Sequence, residues 1–358
     1  MHRAEETPLI GRAADLSLLS KSLDEAAKGS GRAVFIVGEG GIGKTRLATE
    51  LAERAQKKGW TVVSGRAYPV ETGVPYAVFS DALLPVLRAM DPSQLSVLTR
   101  GGAGEFAQMF PNLSAAPEKA RQSSGADPAE IKARLLWNFT QFLGRLAARQ
   151  PLFILLENLQ WADASSLELL HFVARQLESQ KVFLLGTYND AERDSNSVLR
   201  NTEQSLTRLG ALSVHRLTPL SHADVEELVH QMFGAERGTT GHFTSLLYGW
   251  TRGNPFFVEE TLKSLVESQT LSRAQSHWQG WEIDELQLPA SIRDVLKSRV
   301  ERLSPNARTL ANLAAVVGTR APYETLLRVS GLSQQDAIAA LDELLGTRIL
   351  EETGTVDA

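Results

Sequence analysis

The chain has 358 residues, enough for two or three domains, and 43% of them are hydrophobic, which allows a sizeable core. Its formal net charge of −5 gives no overall basic field for nucleic acid or anionic membranes, and the absence of cysteine excludes disulfides, thiolate catalysis and cysteine-ligated zinc. No apolar run approaches the ~18 residues of a membrane span and the polar N-terminus has no signal-peptide core, so we expect a soluble, cytoplasmic protein.

The first predicted strand leads into a glycine-rich motif. Residues 7–12 predict a turn, residues 16–26 carry leucines at helical spacing, and the apolar run 33–37 predicts a buried strand. Residues 38–45, GEGGIGKT, follow this strand and fit the pattern G-x-x-x-x-G-K-[ST]. Apolar side chains then recur at helical spacing until Gly59, so the motif lies between a strand and a helix N-terminus.

A motif of this kind, in this context, is typical of a P-loop that binds nucleotide phosphates. Its glycines let successive main-chain N–H groups turn towards phosphate oxygens, and the helix N-terminus adds partial positive charge. We expect Lys44 to reach the β- and γ-phosphates and the Thr45 hydroxyl to ligate Mg²⁺. The alternative is a glycine-rich turn before an ordinary helix. The residues predicted to bind phosphate are Gly38, Glu39, Gly40, Gly41, Ile42, Gly43, Lys44, Thr45 and Arg46.

Strands and helices then alternate along the chain. Further strands are predicted at 60–64, 152–156, 182–185 and 214–217, and helices at 76–90, 131–150 and 165–177. Residues 114–128, rich in Ser, Ala, Pro and charge, predict a mobile loop. The alternation predicts an α/β fold with a doubly wound parallel sheet, in which ligands collect at the carboxyl ends of the strands.

Polar residues follow two of these strands. Glu157 is the candidate Mg²⁺ ligand opposite Thr45, although it could instead cap the next turn. Asn158 stands where a catalytic base is expected, and an amide can orient water but cannot take its proton near neutral pH. Thr187 and Asn189 end the next strand and either contact the γ-phosphate or satisfy the strand end. The predicted catalytic set is Lys44, Glu157, Asn158 and Asn189.

Two further residues after the first of these strands are given structural roles. Trp161 is predicted as a packing anchor, with base stacking as the alternative. Asp163 is predicted to cap the helix that begins near Ser165, with metal binding as the alternative. The sequence has no H-x-x-x-H pair and no [NT]-K-x-D run, so neither a histidine metal site nor guanine selectivity is predicted.

The pattern changes near Pro219. Helical spacing dominates afterwards, beginning with the capping pair Ser221 and Asp224. A break at Pro255 offers a flat apolar ring that could pack on adenine, or it is simply the end of one helix. Residues 289–352 contain eight basic and eight acidic side chains, which lacks the positive excess that drives DNA affinity. We therefore expect no direct DNA binding by this segment.

Five blocks, in order, resemble the STAND (signal transduction ATPases with numerous domains) branch of AAA+-like P-loop ATPases. The likeness is greatest to the ATPase module of large LuxR-type bacterial transcriptional regulators. The blocks are the hhGR motif at 9–12, in which h is a hydrophobic residue, Walker A at 38–45, Walker B at 152–163, the sensor-1 strand end at 186–188, and the GxP block at 253–260, which begins Gly-Asn-Pro.

The resemblance implies a domain order and further adenine contacts. It implies a nucleotide-binding domain at 1–218, a helical lid at 219–285 and an incomplete winged-helix-like domain at 286–358. In the family the hhGR motif lies beside the adenine and the proline of the GxP block packs on the base. The adenine-binding residues implied in this chain are therefore Ile10, Gly11, Arg12 and Pro255.

The function implied is a signal-transduction switch that binds ATP or ADP with Mg²⁺. Exchange of ADP for ATP would open the module and permit self-association, under control of an unknown inducer or regulatory protein, without membrane contact. The family usually has two Walker B acids, whereas this chain has Glu157 and Asn158, and the sensor position, often Arg, is Asn189. These departures predict slow hydrolysis. The alternatives are an actively hydrolysing AAA+-type ATPase and a scaffold that keeps its nucleotide permanently.

Overall fold

A computed structural model describes residues 9–71, 73–110, 127–235, 239–274, 277–283, 286, 289–318, 321–347 and 349–350. The chain divides into two compact units, Met1–Leu228 and Val229–Ala358. The predicted loop at 114–128 lies almost entirely outside the described residues. No helix in the described ranges is both long and apolar enough to cross a membrane.

The first unit is built on a five-stranded sheet. Its strands are β1 (Arg32–Gly38), β2 (Thr61–Arg66), β3 (Leu152–Glu157), β4 (Val182–Asn189) and β5 (Ser213–Arg216). All pairs are parallel and the order across the sheet is β2-β3-β4-β1-β5. All six residues of β3 are buried, as expected of a strand covered on both faces. The predicted doubly wound parallel sheet is therefore confirmed.

Helices cover both faces of this sheet. They are α1 (Ala13–Ala27), α2 (Lys44–Lys57), α3 (Ala77–Arg88), α4 (Pro92–Leu98), α5 (Ala103–Met109), α6 (Pro128–Arg149), α7 (Ala164–Ala174) and α8 (Ser197–Arg208). Helix α9 (His222–Phe233) follows β5 and spans the division between the units. One core joins the sheet to α1 and α2, and a larger one joins the other face to helices α3 to α8. Apolar burial on both faces fixes the register of the strands.

The second unit is mostly helical. Its elements are α10 (Gly241–Thr251), α11 (Pro255–Glu267), β6 (Ser272–Ala274), β7 (His277–Gln279), α12 (Ala290–Glu301), α13 (Pro305–Val317), α14 (Tyr323–Ser330) and α15 (Gln334–Gly346). Strands β6 and β7 form an antiparallel hairpin. The side chains of Ser304 and Ser333 cap α13 and α15. Leu310 and Leu344 are among the buried residues of the core that α13 to α15 share.

Candidate nucleotide-binding site

The glycine-rich motif lies between β1 and α2, at the carboxyl edge of the sheet. Gly41 and Gly43 have φ values of 84° and 97°, a region that residues with a Cβ rarely adopt. The Nζ of Lys44 donates hydrogen bonds to the carbonyls of Gly38 and Glu39, at 2.8 and 2.7 Å. The loop therefore turns tightly, with the lysine ammonium held against its main chain.

The segment that includes Gly11 and Arg12 lies against this loop. Arg12 is 4% exposed, and its Nη2 donates to the carbonyl of Ile42 at 3.0 Å. Burial lowers the pKa of Arg12, while the nearby carboxylates of Asp15 and Asp224 raise it. Gly11 has φ +68°, and a Cβ there would lie 2.7 Å from the Cγ of Asp224. The segment is thus fitted between the loop and the first turn of α9, whereas its adenine contact stays a prediction.

Glu157 forms an ion pair that the sequence reading missed. The carboxylate is buried, and its Oε2 accepts a hydrogen bond from Nη2 of Arg66 at 2.7 Å. The two residues are register partners at the ends of β3 and β2. The hydrogen bond and the charge of Glu157 raise the pKa of Arg66. The strand predicted at 60–64 ends two residues before β2 does, so Arg66 was left out. An arginine that ends a strand parallel to β3 was the available signal.

The two residues expected to bind Mg²⁺, Thr45 and Glu157, both carry oxygen donors, which suit that ion. The Oε1 of Glu157 is buried and has no hydrogen-bond partner among the described residues, and Thr45 lies in the first turn of α2. Mg²⁺ prefers oxygen ligands and is commonly bound by one or two carboxylates together with substrate phosphates. In the described part of the chain, His, Cys, Asp and Glu form no group of three or more that could hold a metal alone. A Mg²⁺ site at Thr45 and Glu157 would therefore need nucleotide phosphates as further ligands.

The other strand-end residues lie beside the loop and beside Glu157. Asn158 has φ 60°, and its main-chain N–H donates to Oγ1 of the buried Thr187 at 3.4 Å. Asn189 is the register partner of Gly38, so it ends the strand next to the loop. Its Nδ2 donates to Oε1 of Glu192 at 3.0 Å. The structure thus places Asn189 at the loop and Thr187 in contact with Asn158. Their roles towards a γ-phosphate stay predictions.

Asp163 caps two helices. Its Oδ1 accepts from the main-chain N–H of Ser166 at 2.9 Å, which is the predicted cap of α7. The same carboxylate accepts from the N–H groups of Tyr76 at 3.1 Å and Ala77 at 3.3 Å, at the start of α3. The buried carboxylate thus accepts from the first turns of α7 and α3, which supports its predicted role as a helix cap.

Pro255 lies in the second unit. It is the first residue of α11 rather than part of a loop, and the side chain of Asn254 caps this helix by accepting from the N–H of Phe256 at 3.2 Å. Proline is favoured at the first helical position because it has no N–H to leave unpaired there. Local structure thus accounts for the proline, and its contact with adenine stays a prediction.

Residues 8–185 match a protein-family model described as the AAA ATPase domain. The matched segment contains β1 to β3, most of β4, the glycine-rich loop and Glu157. Both strand ends that carry the candidate phosphate-binding and metal-binding residues therefore lie within the match.

Comparison of whole chains gives a distant relative. The chain is 26% identical over 372 residues to uncharacterized protein R02095 of Rhizobium meliloti (strain 1021), which covers 96% of this chain and 33% of the relative. It thus spans about a third of the length of that curated relative.

Two solved structures are similar at low sequence identity. The ORC1 protein of Aeropyrum pernix, solved in complex with DNA, gives a TM-score of 0.46 at 14% identity, covering 94% of this chain and 84% of that one. A STAND protein with a tetratricopeptide repeat sensor from Pyrococcus horikoshii gives 0.41 at 14% identity, covering 96% and 40%. The assignment of the site rests on the family match and on the geometry of the loop.

Proposed function

We propose that this chain, which carries a P-loop ATPase domain of the AAA+ type in its first unit, is a nucleotide-operated signal-transduction switch of the STAND kind. The nucleotide is ATP or ADP, bound with Mg²⁺. The observation that favours a switch over a motor is Asn158, which directly follows the buried Glu157.

The glycine-rich loop supports nucleotide binding through its position. The helix α2 begins at Lys44 with Gly43 as its cap residue, which has no side chain to accept the first N–H groups. A phosphate can take that role, and the helix dipole favours its negative charge. Lys44 would serve the β- and γ-phosphates, and Thr45 and Glu157 would hold Mg²⁺. The ion would neutralise phosphate charge.

Slow turnover is the reason to propose a switch. In a hydrolysing enzyme the residue after the metal-side acid would accept a proton from the attacking water, and Asn158 carries an amide in that place. A protein that hydrolyses ATP slowly stays in one nucleotide state long enough for that state to act as a signal. Such a switch also requires that ATP and ADP differ in their affinities for its two conformations, because a ligand shifts a conformational equilibrium only by its differential affinity for the two forms.

The proposal extends to the domains and partners. The domains proposed are a nucleotide-binding domain at 1–218, a helical lid at 219–285 and a winged-helix-like domain at 286–358, and Pro255 is proposed as an adenine-binding residue. ADP would keep the module closed, and ATP would open it for self-association. An unknown inducer or regulatory protein would control the exchange, and the output would be transcription, as in LuxR-type regulators. The balanced charge of 289–352 supports indirect control without DNA contact by this segment.

Released nucleotide tests the proposal most directly. The purified protein is denatured and the supernatant analysed for ATP and ADP, before and after incubation with ATP and Mg²⁺. A switch retains ADP and exchanges it for ATP that persists. A motor converts the added ATP continuously, and a scaffold does not exchange. Recovery of no nucleotide, even from protein given adenine nucleotides and Mg²⁺, would contradict binding altogether.

Nucleotide-dependent stabilisation gives a quantitative version of this test. ADP at about 100 times its Kd should add about 2.7 kcal/mol to the free energy of unfolding. Lys44→Ala should abolish this gain because the ammonium at the loop is lost. The matched control is Lys58→Ala, which removes an exposed lysine paired with Asp24 at 2.6 Å and should leave the gain unchanged.

A further inference from the structure

The ion pair between Arg66 and Glu157 links a positive charge of the protein to the candidate Mg²⁺ ligand. Glu157 follows Phe153 and Leu155 on the face of β3 that packs against Leu47 and Leu51 of α2. Its register partner Arg66 ends the neighbouring strand. The guanidinium therefore meets Glu157 on the sheet face covered by the helix that begins with Lys44 and Thr45.

The pair is unequal in its exposure to solvent. The Arg66 side chain is 45% exposed, whereas that of Glu157 is only 6% exposed. The arginine can move into water, but the carboxylate cannot, and a buried carboxylate without a positive partner is strongly destabilising. One cation or another must therefore accompany Glu157.

The two carboxylate oxygens have different surroundings. Oε2 accepts from Arg66, whereas Oε1 is buried without a hydrogen-bond partner among the described residues. Buried polar atoms are nearly always paired, with protein, water or an ion. A divalent cation that took Oε1 as a ligand would need the same single negative charge that now neutralises Arg66, so the two cations would compete for Glu157.

We infer that Arg66 is a positioning residue that competes with Mg²⁺ for Glu157. It thereby sets the Mg²⁺ concentration at which the affinity for nucleotide rises. This inference rests on the proposed function, because it concerns the metal side of the same site. Arg66 fills the role of counter-ion at low Mg²⁺ and moves outwards as Mg²⁺ binds. The main chain at Arg66 stays fixed, since its N–H donates to Oδ2 of Asp81 at 2.9 Å.

The test measures affinity for fluorescently labelled ADP across a Mg²⁺ titration, with EDTA as the metal-free point. Arg66→Gln should lower the half-saturating Mg²⁺ concentration about fivefold, as expected for loss of one competing ion pair. Its metal-free ADP affinity should equal that of the wild type, which a general structural defect would not preserve. Arg66→Lys keeps the charge but has fewer donors, so its value should lie between those of the wild type and Arg66→Gln.

Arg32→Gln is the matched control. Arg32 pairs with Glu25 at 3.3 Å and its side chain is 47% exposed, close to that of Arg66, but it begins β1 and so lies at the amino-terminal end of the strands, whereas Glu157 lies at the carboxyl end. Its Mg²⁺ dependence should equal that of the wild type.

Each result decides the question. An unchanged or raised half-saturating concentration in Arg66→Gln, in protein that binds ADP, overturns the inference and leaves the proposed function standing. If the wild type binds no ADP at any Mg²⁺ concentration, both fail. If Arg66→Gln does not fold, Arg66→Lys decides, and a value at or above that of the wild type overturns the competition.

Discussion

Replacing Asp163 by alanine should destabilise the first unit more than loss of an ordinary helix cap. Three main-chain N–H groups, those of Ser166, Tyr76 and Ala77, donate to this buried carboxylate. At about 1 kcal/mol for each donor left without its acceptor, Asp163→Ala should lower the free energy of unfolding by about 3 kcal/mol. Tyr76 also has φ 61°, an unfavourable conformation for an aromatic residue, which these contacts help to maintain.

Urea titration measures the loss, and hydrogen exchange locates it. Exchange should accelerate in the first turns of both α3 and α7. Asp127→Ala is the matched control, because the Asp127 carboxylate is exposed and accepts from one N–H, that of Ala129, at 3.0 Å. The control should lose only about 1 kcal/mol. Equal losses in the two variants, or unchanged exchange at residues 76–77, would refute the double-cap reasoning.

Three further results are expected. Gly11→Ala should lower both the melting temperature and the affinity for ADP, because its Cβ would meet Asp224. Gly210 has the same φ of +68°, but a Cβ there would meet nothing within 4 Å, so Gly210→Ala should cost only about 1 kcal/mol of strain. Equal losses in the two variants would argue against the contact with Asp224. Asn158→Asp should raise the rate of phosphate release from ATP at least about tenfold, because it supplies a base. Aspartate also tolerates the φ of 60° at this position. An unchanged rate in protein that binds ATP would show that no base is missing. Burial lowers the pKa of His171, so the folded state binds that proton less readily than the unfolded state, and the free energy of unfolding should fall as the pH drops below about 6.5. His171→Gln should weaken that pH dependence, and an identical profile would exclude His171 as its source.

Local patterns in the sequence predicted much of the fold. The apolar run at 152–156 belongs to β3, which continues to Glu157, and the helix predicted over 131–150 corresponds to α6, which ends at Arg149. The Ser221 and Asp224 pair caps α9 as predicted, with the Ser221 N–H donating to Asp224 at 2.9 Å. Each of these features depends on residues within a few positions of one another, so a single stretch of sequence contains the information.

Features that join distant stretches could not be predicted in the same way. The ion pair of Arg66 with Glu157 depends on β2 lying next to β3, and no pattern within either strand specifies its neighbour. Asp163 was predicted to cap α7, but its second role at Tyr76 depends on how α3 packs. Helices α4 and α5 were not predicted because each has only seven residues, too few for a helical repeat to be recognised.

The strand order has a consequence for synthesis of the protein on the ribosome. The loop-bearing strand β1 ends at Gly38, yet its neighbours β4 and β5 begin only at Val182 and Ser213. Until those segments emerge, an almost wholly apolar strand has both edges without their native partners, and such edges are prone to pair with other chains. The glycine-rich loop is thus translated well before the sheet that holds it is completed. Bound nucleotide can therefore stabilise the finished domain, but it cannot act before β4 and β5 have joined β1.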